Sequence, residues 1–369
     1  MDTQAFIADI FKKVDKKIEI QCGRLDGIIP YIPENGRYAD HGSKQLSWWT
    51  NGFWGGILWQ LYNATNKDIY REHAEALENR LDQALEEYEG LHHDVGFQWL
   101  HTSVANYRLT GNERSKIRAL HAANLLAGRY IPQAKFINAW NYEYGLTIID
   151  TLMNLPLLHW ANKTAGLSHM SFIAAEHANF AIKNLIRPDG SVHHIARTNP
   201  ISGEILEFLT GQGFSSNSAW SRGASWAIYG LALSYRYTGE LAHLDTAKKV
   251  AHYFMAQISQ TDYIPLADFR APSEPVKYDT TAGLCAACGM LEIATHVTDY
   301  EKKLYTDFAL KMVQSTEEKY ANWNLEEDGI IGHGTVAYHN AATHVPIIYG
   351  DYFFIEAILR LQGLDFLIW

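Results

Sequence analysis

The sequence predicts an all-α fold, an (α/α)6 barrel in which one ring of helices encloses another, with a small β-hairpin in a rim loop. Two observations carry this expectation. Twelve helical segments alternate between an apolar type and a charged, amphipathic type, and a short phrase recurs where an apolar segment gives way to the next charged one. The phrase stands as Tyr62-Asn-Ala-Thr65, Tyr107-Arg-Leu-Thr110, His159-Trp-Ala-Asn-Lys-Thr164, Tyr235-Arg-Tyr-Thr238 and Thr295-His-Val-Thr298. An apolar helix, a polar turn and an amphipathic helix make a hairpin that buries its face only against its neighbours, and spacings of roughly 45 to 75 residues suit such a repeated unit.

The helices are expected at about 3–21, 52–64, 68–89, 95–109, 113–130, 153–163, 167–186, 218–237, 241–260, 279–296, 300–320 and 347–361. Each apolar member is buried on more sides than a one-faced amphipathic helix, so the six apolar helices form the inner ring. Ser191–Arg197 and Glu204–Leu209, flanking Asn199-Pro-Ile-Ser-Gly203, read as the hairpin. With no Ser/Pro-rich linker along the chain, residues 1–369 are expected to form one catalytic domain. The recurring turns then share one end of the barrel. The longer segments leading into the inner helices, 38–51, 89–94, 132–150, 187–220, 263–280 and 322–345, share the other end. They are rich in Gly, His, Trp, Asp and Asn, the composition of a site-bearing rim.

Composition narrows the function. At 47% hydrophobic and 20% charged residues over 369, the chain can bury a large core. A net charge of -10 without a basic face argues against nucleic-acid binding. No apolar run reaches the about 18 residues of a membrane span, and MDTQAFIADIFKKVDKKIEI reads as an amphipathic helix, so no membrane association and a cytoplasmic location are expected. Three cysteines exclude a disulfide framework. The 11 Trp and 21 Tyr supply flat amphipathic rings, suited to a large core or to stacking sugars.

Two acids stand out on the rim. Asp94 begins an inner helix, where an N-cap competes with a catalytic role. Asp150 lies among Ile148, Ile149, Leu152 and Met153, just before the helix-start signal of Asn154 and Pro156. Burial there would raise a carboxyl toward the range of a general acid. In Leu209–Trp226, Arg222 and Trp226 are one helical turn apart, able to fork onto a carboxylate and to stack beneath a ring, or else to satisfy helix ends and fill the core. The pairs His92-His93 and His193-His194 and the set His333, His339 and His344 lack metal-ligand spacing and read as hydrogen-bonding groups of a polar cleft. Cys285-Ala-Ala-Cys288 sits in a small-residue apolar helix, where close packing is the better reading than redox chemistry.

Trp49-Thr-Asn-Gly-Phe-Trp54, His93-Asp-Val-Gly-Phe97, Ile148-Ile-Asp-Thr-Leu-Met-Asn-Leu-Pro-Leu-Leu158, Asp189-Gly-Ser-Val-His-His194, Thr210-Gly-Gln-Gly213, Ser221-Arg-Gly-Ala-Ser-Trp226 and Pro265-Leu-Ala-Asp-Phe269 occur in this order, and with them the chain resembles the unsaturated glucuronyl hydrolases, glycoside hydrolase family 88, over nearly its whole length. The resemblance implies an (α/α)6 barrel that needs no metal or organic cofactor. It implies a substrate with a 4,5-unsaturated uronic acid at the non-reducing end of an oligosaccharide, hydrated across its double bond to an unstable hemiketal that releases a keto acid. It also implies that Asp150 is the proton donor and Asp94 its partner. Trp49, Trp140 and Trp226 would be stacking walls, and His93, His194, Thr210, Gln212 and Arg222 polar contacts, with Phe208 offering a main-chain contact. Asn340, Thr343 and Val345 stand where some members carry a Ser-x-x-Ser-x-Lys loop for sulfate; without the Lys, Asn340 and Thr343 retain only hydrogen-bonding capacity. A monomer or weak homodimer is expected. Competing readings are a family 105-like unsaturated rhamnogalacturonyl hydrolase, an (α/α)6 sugar epimerase using paired histidines such as His194 and His344, and a non-catalytic sugar binder.

Overall fold

The computed structural model describes residues 3–364 and 366–369; Met1, Asp2 and Asp365, included in the 1–369 expectation, lie outside the described residues. The expected twelve helices form two rings. The inner ring comprises Phe53–Thr65, Val95–Trp99 continuing through the π-turn Leu100–Val104 into Ala105–Thr110, Leu155–Ala165, Ser221–Thr238, Thr280–Ala294 and Ile348–Gln362. The outer ring comprises Thr3–Arg24, Asp68–Glu87, Glu113–Ala127, Ser168–Asn184, Leu241–Ile258 and Asp299–Tyr320. Phe53–Thr65 packs against Ile348–Gln362 and closes the inner ring, while Thr3–Arg24 covers Ile348–Gln362 from outside. This is the (α/α)6 barrel.

Burial follows the alternation in the sequence. Every residue of Thr280–Ala294 is buried, whereas Asp68–Glu87 buries only one stripe. Small residues bring the inner helices close: a Cβ on Gly289 would lie 3.0 Å from Tyr229 Cα. Cys285 and Cys288 are fully buried in this contact, and burial holds both thiols well above their ordinary values. They pack; they are not poised for exchange.

The recurring phrase has a shared hydrogen-bond pattern. Thr65, Thr110 and Thr238 donate their hydroxyls to the carbonyls of Leu61, Asn106 and Ser234 at 2.7, 2.9 and 2.8 Å. The same hydroxyls accept from the N–H groups of Lys67, Asn112 and Glu240. The residue between, Asn66, Gly111 or Gly239, has a left-handed φ of 56°, 75° or 71°, which ends the helix. Inner helices pass to outer ones through these turns, so the longer connections gather at the opposite rim.

The rim holds more sheet than expected. Ile195–Thr198 and Ile205–Leu209 form the antiparallel hairpin, and Leu146–Ile148 adds a third strand beside Ile195–Thr198. This strand is only three residues long, too short to show a period of two. It runs directly into the 3-10 turn Ile149–Met153, which delays the next helix to Leu155 and presents Asp150. A second short pair, Tyr130–Ile131 with Phe136–Ile137, braces the loop before Trp140.

Candidate active site

Asp94 and Asp150 meet at Asn154. Asp94 occupies the N-cap position of Val95–Trp99, yet its side chain makes no capping bond. Asn154, fully buried, supplies the cap instead: its Oδ1 accepts from Phe97 N–H at 2.9 Å. Its Nδ2 lies 3.3 Å from Asp94 Oδ1 and 3.3 Å from the main-chain oxygen of Asp150. The approach requires Gly96, where a Cβ would lie 2.6 Å from both Asn154 Cα and Oδ1. Burial, and then the negative charge of Asp150, hold the Asp94 carboxyl well above the usual carboxylate range, against the opposing effect of Asn154.

Each acid has a histidine beside it. His93 Nδ1 lies 3.3 Å from Asp94 Oδ1 and 3.0 Å from Thr151 Oγ1, and burial holds its pKa well below the ordinary value, so the ring is neutral. His194 Nε2 lies 3.4 Å from Asp150 Oδ1. Its Nδ1 accepts the Gln212 N–H at 3.0 Å, so the ring proton sits on Nε2, facing the acid. Gly211 permits this contact, since a Cβ there would lie 2.3 Å from His194 Nδ1. Trp220 packs against the same imidazole at 4.1 Å between ring centroids. The Thr210-Gly-Gln-Gly213 motif therefore fixes the tautomer of the histidine at Asp150.

Arg222 corrects the reading of a fork aimed at a ligand. It is fully buried, and Nη1 donates to Asp279 Oδ2 at 2.5 Å and to Thr335 O at 2.7 Å. Nη2 donates to Gln212 Oε1 at 3.0 Å and Val336 O at 2.7 Å. Nε is the nitrogen left without a protein acceptor among the described residues. Arg222 ties its helix to the 332–345 loop and holds the Gln212 amide. Arg222→Met is accordingly expected to destabilise the fold by about 3–5 kcal/mol, because Asp279 is left as a buried, uncompensated anion. Denaturant midpoints check this, and Arg222→Met combined with Asp279→Leu should recover most of the loss. A single variant of wild-type stability with only a raised KM would contradict it.

Trp226 is likewise corrected. It is wholly buried beneath Trp49 and Phe97 and shows no face to the cleft. Trp49, half-buried, lies over Tyr349 at 5.0 Å, and Trp140, also half-buried, stands edge-on to His93 at 5.7 Å. Phe208 stacks on His193 at 3.5 Å. Thr210 is exposed on the rim. Asn340 is exposed, with Oδ1 accepting from Ala342 N–H in a turn that also sets Thr343, whose N–H donates to Ala341 O. The sequence reading missed Tyr31, His41 and Trp48, which form an aromatic cluster with centroids 4.9 to 5.9 Å apart, and Asp268. Asp268 accepts from Phe214 N–H, Ser218 Oγ, Ala219 N–H and Arg270 N–H and so shapes the loop before Arg222. Its place in the Pro265–Phe269 motif was the available signal.

His92, His93 and Asp94 offer three metal-ligating atoms within 4.8 Å of one another. Two of these side chains are already engaged, His93 with Thr151 and Asp94 with Asn154, so hydrogen bonding accounts for their arrangement.

Comparison with known proteins adds a family. Residues 29–267 match the model of Glycosyl Hydrolase Family 88. An unsaturated glucuronyl hydrolase of Bacillus sp. (strain GL1) is 37% identical over 327 residues, 85% of this chain and 86% of that protein. An unsaturated chondroitin disaccharide hydrolase of Streptococcus pneumoniae (strain ATCC BAA-255 / R6) is 33% identical over 324 residues, 85% of this chain and 81% of that protein. A solved structure described as UGL with dGlcA-Glc-Rha-Glc superposes with a TM-score of 0.90 at 32% identity, covering 95% of this chain and 96% of that one.

Proposed function

The chain belongs to glycosyl hydrolase family 88 and is a glycoside hydrolase, and from this premise we propose that it hydrates the C4=C5 double bond of an unsaturated uronic acid at the non-reducing end of an oligosaccharide. The names of its relatives, unsaturated glucuronyl hydrolase and unsaturated chondroitin disaccharide hydrolase, support the substrate class. The single observation that carries the mechanism is the Asn154 amide bridging the two acids, 3.3 Å from the Asp94 carboxyl and 3.3 Å from the main-chain oxygen of Asp150, with the Asp94 carboxyl raised by burial and by the Asp150 charge.

For turnover the proton held by Asp94 passes to Asp150 as substrate enters. Asp150 delivers a proton to C4, water attacks C5, and Asp150 takes back a proton from that water. The hemiketal opens and releases the sugar as a keto acid. Asp94 stores the proton in the resting site and holds ring hydroxyls. His194 Nε2–H steadies Asp150, Trp49 and Trp140 bound the sugar, and Gln212, held by Arg222, faces its polar groups. Asn340 and Thr343 hydrogen-bond the sugar beyond the scissile bond. The site works on this chain's own side chains, without a cofactor, on one domain spanning 1–369, as a monomer or weak homodimer.

The epimerase reading is less well supported. His344 Nε2 accepts the Tyr278 N–H, and its ring stacks on His333 at 4.9 Å, so both rings are engaged in loop structure. The deciding assay follows ultraviolet absorbance of the conjugated uronate in lyase-generated disaccharides from chondroitin, hyaluronan, heparin, gellan and pectin. Loss of absorbance on at least one is expected; absorbance unchanged on all five rejects the reaction, and loss confined to the pectin product favours the rhamnogalacturonyl alternative.

A further inference from the structure

We propose that the rim beside Trp140 is a second sugar-binding surface, on which Tyr142, Tyr144 and Tyr88 receive a neutral saccharide unit farther along the substrate than the one at Trp140. The inference rests on the oligosaccharide reading above. Rings step outward from the acids without a gap. His93 lies against Asp94, Trp140 meets His93 edge-on at 5.7 Å, and Tyr142 stacks on Trp140 at 5.6 Å with the planes 18° apart.

The outer rings are unusually open. Tyr142 is 75% exposed, Tyr144 67% and Tyr88 61%. Tyr88 ends its helix at φ 59°, a left-handed conformation that is strained for an aromatic residue. Tyr142 adjoins Trp140 by stacking, and Tyr88 and Tyr144 adjoin it across a shared depression; exposed apolar surface gathered in this way marks a binding site. Behind Trp140, Tyr88, Arg129, Asn138, Asn141 and Tyr144 help to line a depression of about 310 Å³, at the lower end of small-ligand pockets, which run to about 1,000 Å³.

The polar groups around it are committed to the protein. Arg129 gives Nε to Asn138 O, Nη1 to Asn141 Oδ1 and Nη2 to Ala139 O. Asn141 Nδ2 donates to Glu89 O and Leu91 O, Asn138 Nδ2 donates to Trp140 O, and Glu143 pairs with Arg197. Charges are satisfied and the floor is fixed, so recognition falls to the faces of the rings. That chemistry suits the C–H face of an uncharged pyranose rather than a sulfated or uronic unit. It also suits an occupant already tethered through the cleft, because the added contact then carries little of the entropy cost of a separate ligand.

The test compares an unsaturated disaccharide with a tetrasaccharide of the same non-reducing end, for the intact enzyme and for Tyr142→Ala combined with Tyr144→Ala. The tetrasaccharide should lose about tenfold in kcat/KM, through KM, while the disaccharide changes by less than about twofold. Equal change on both, or on neither, overturns the proposal. Should the intact enzyme hydrate no disaccharide, the reaction assignment fails by itself, and calorimetric binding of the tetrasaccharide to the two proteins decides the surface separately. Solution mass is measured alongside: a dimer of the intact chain that the double variant abolishes would assign the rings to a second copy and overturn the proposal.

Discussion

Asp150→Asn is expected to cut turnover about 10²- to 10⁴-fold while leaving the fold and the affinity for substrate in place. The side chain keeps its shape and loses its transferable proton. Nothing in the local structure depends on its charge: the 3-10 turn that presents it is held by main-chain bonds from Ile149 N–H to His194 O at 3.0 Å and from Asn154 N–H to Thr151 O at 2.9 Å. An amide oxygen can face the His194 Nε2–H as the carboxylate does. Turnover followed by ultraviolet loss, affinity by calorimetry and thermal midpoint together separate the possibilities. Retention of turnover within about tenfold would remove Asp150 from the chemistry.

Asp94→Asn extends the argument through pH. Burial and the Asp150 charge raise the Asp94 carboxyl, so Asp94 holds its proton until pH climbs through that raised value. The alkaline limb of the pH–rate profile therefore belongs to Asp94, and it should vanish in the Asn variant along with most of the turnover. The linkage to stability has the same sign. Between the ordinary carboxylate value and the raised one, the folded chain holds a proton that the unfolded chain has released, so stability declines as pH rises across that window.

The helices were legible because burial on all sides, or on one stripe, writes itself into local composition. The inner helix Thr280–Ala294 and the outer helix Asp68–Glu87 differ at nearly every position for that reason. The hairpin turns were legible because one threonine hydroxyl makes two bonds within six residues of chain. Asp94 and Asp150 announced themselves by lying in the rim segments, one of them among apolar neighbours. What the chain order hid was direction. Arg222 and Trp226 do share a helical face, as their spacing requires, but that face turns into the protein, toward Asp279 and the carbonyls of Thr335 and Val336 for one and toward Phe97 and Phe353 for the other. Those partners come from distant segments, and no local period reports them. The third strand, Leu146–Ile148, failed for the opposite reason: its signal is local but three residues long.

Asn154 is the largest omission, and its replacement is expected to have the next largest effect. The segment reads as a helix start, yet its amide caps a different helix and touches both acids. Asn154→Ala leaves Phe97 N–H with Asp94 O at 3.0 Å as its remaining acceptor and takes the amide donor from Asp94 Oδ1, at a cost of about 1–3 kcal/mol. The lost donor had favoured the charged form of Asp94, so the carboxyl rises further and the alkaline limb moves to higher pH. At the same time, freedom gained by Asp94 lowers kcat more than it changes KM. Asn154→Asp separates the two duties. It preserves an oxygen for Phe97 N–H, so stability recovers toward that of the intact chain, but it sets a third acid against Asp94 and drives the limb upward still more. A residue that merely braced two segments would lower the melting temperature in the Ala variant and leave the pH profile where it was; the limb moving in both variants, with stability returning only in the second, is the pattern that a proton-positioning amide produces.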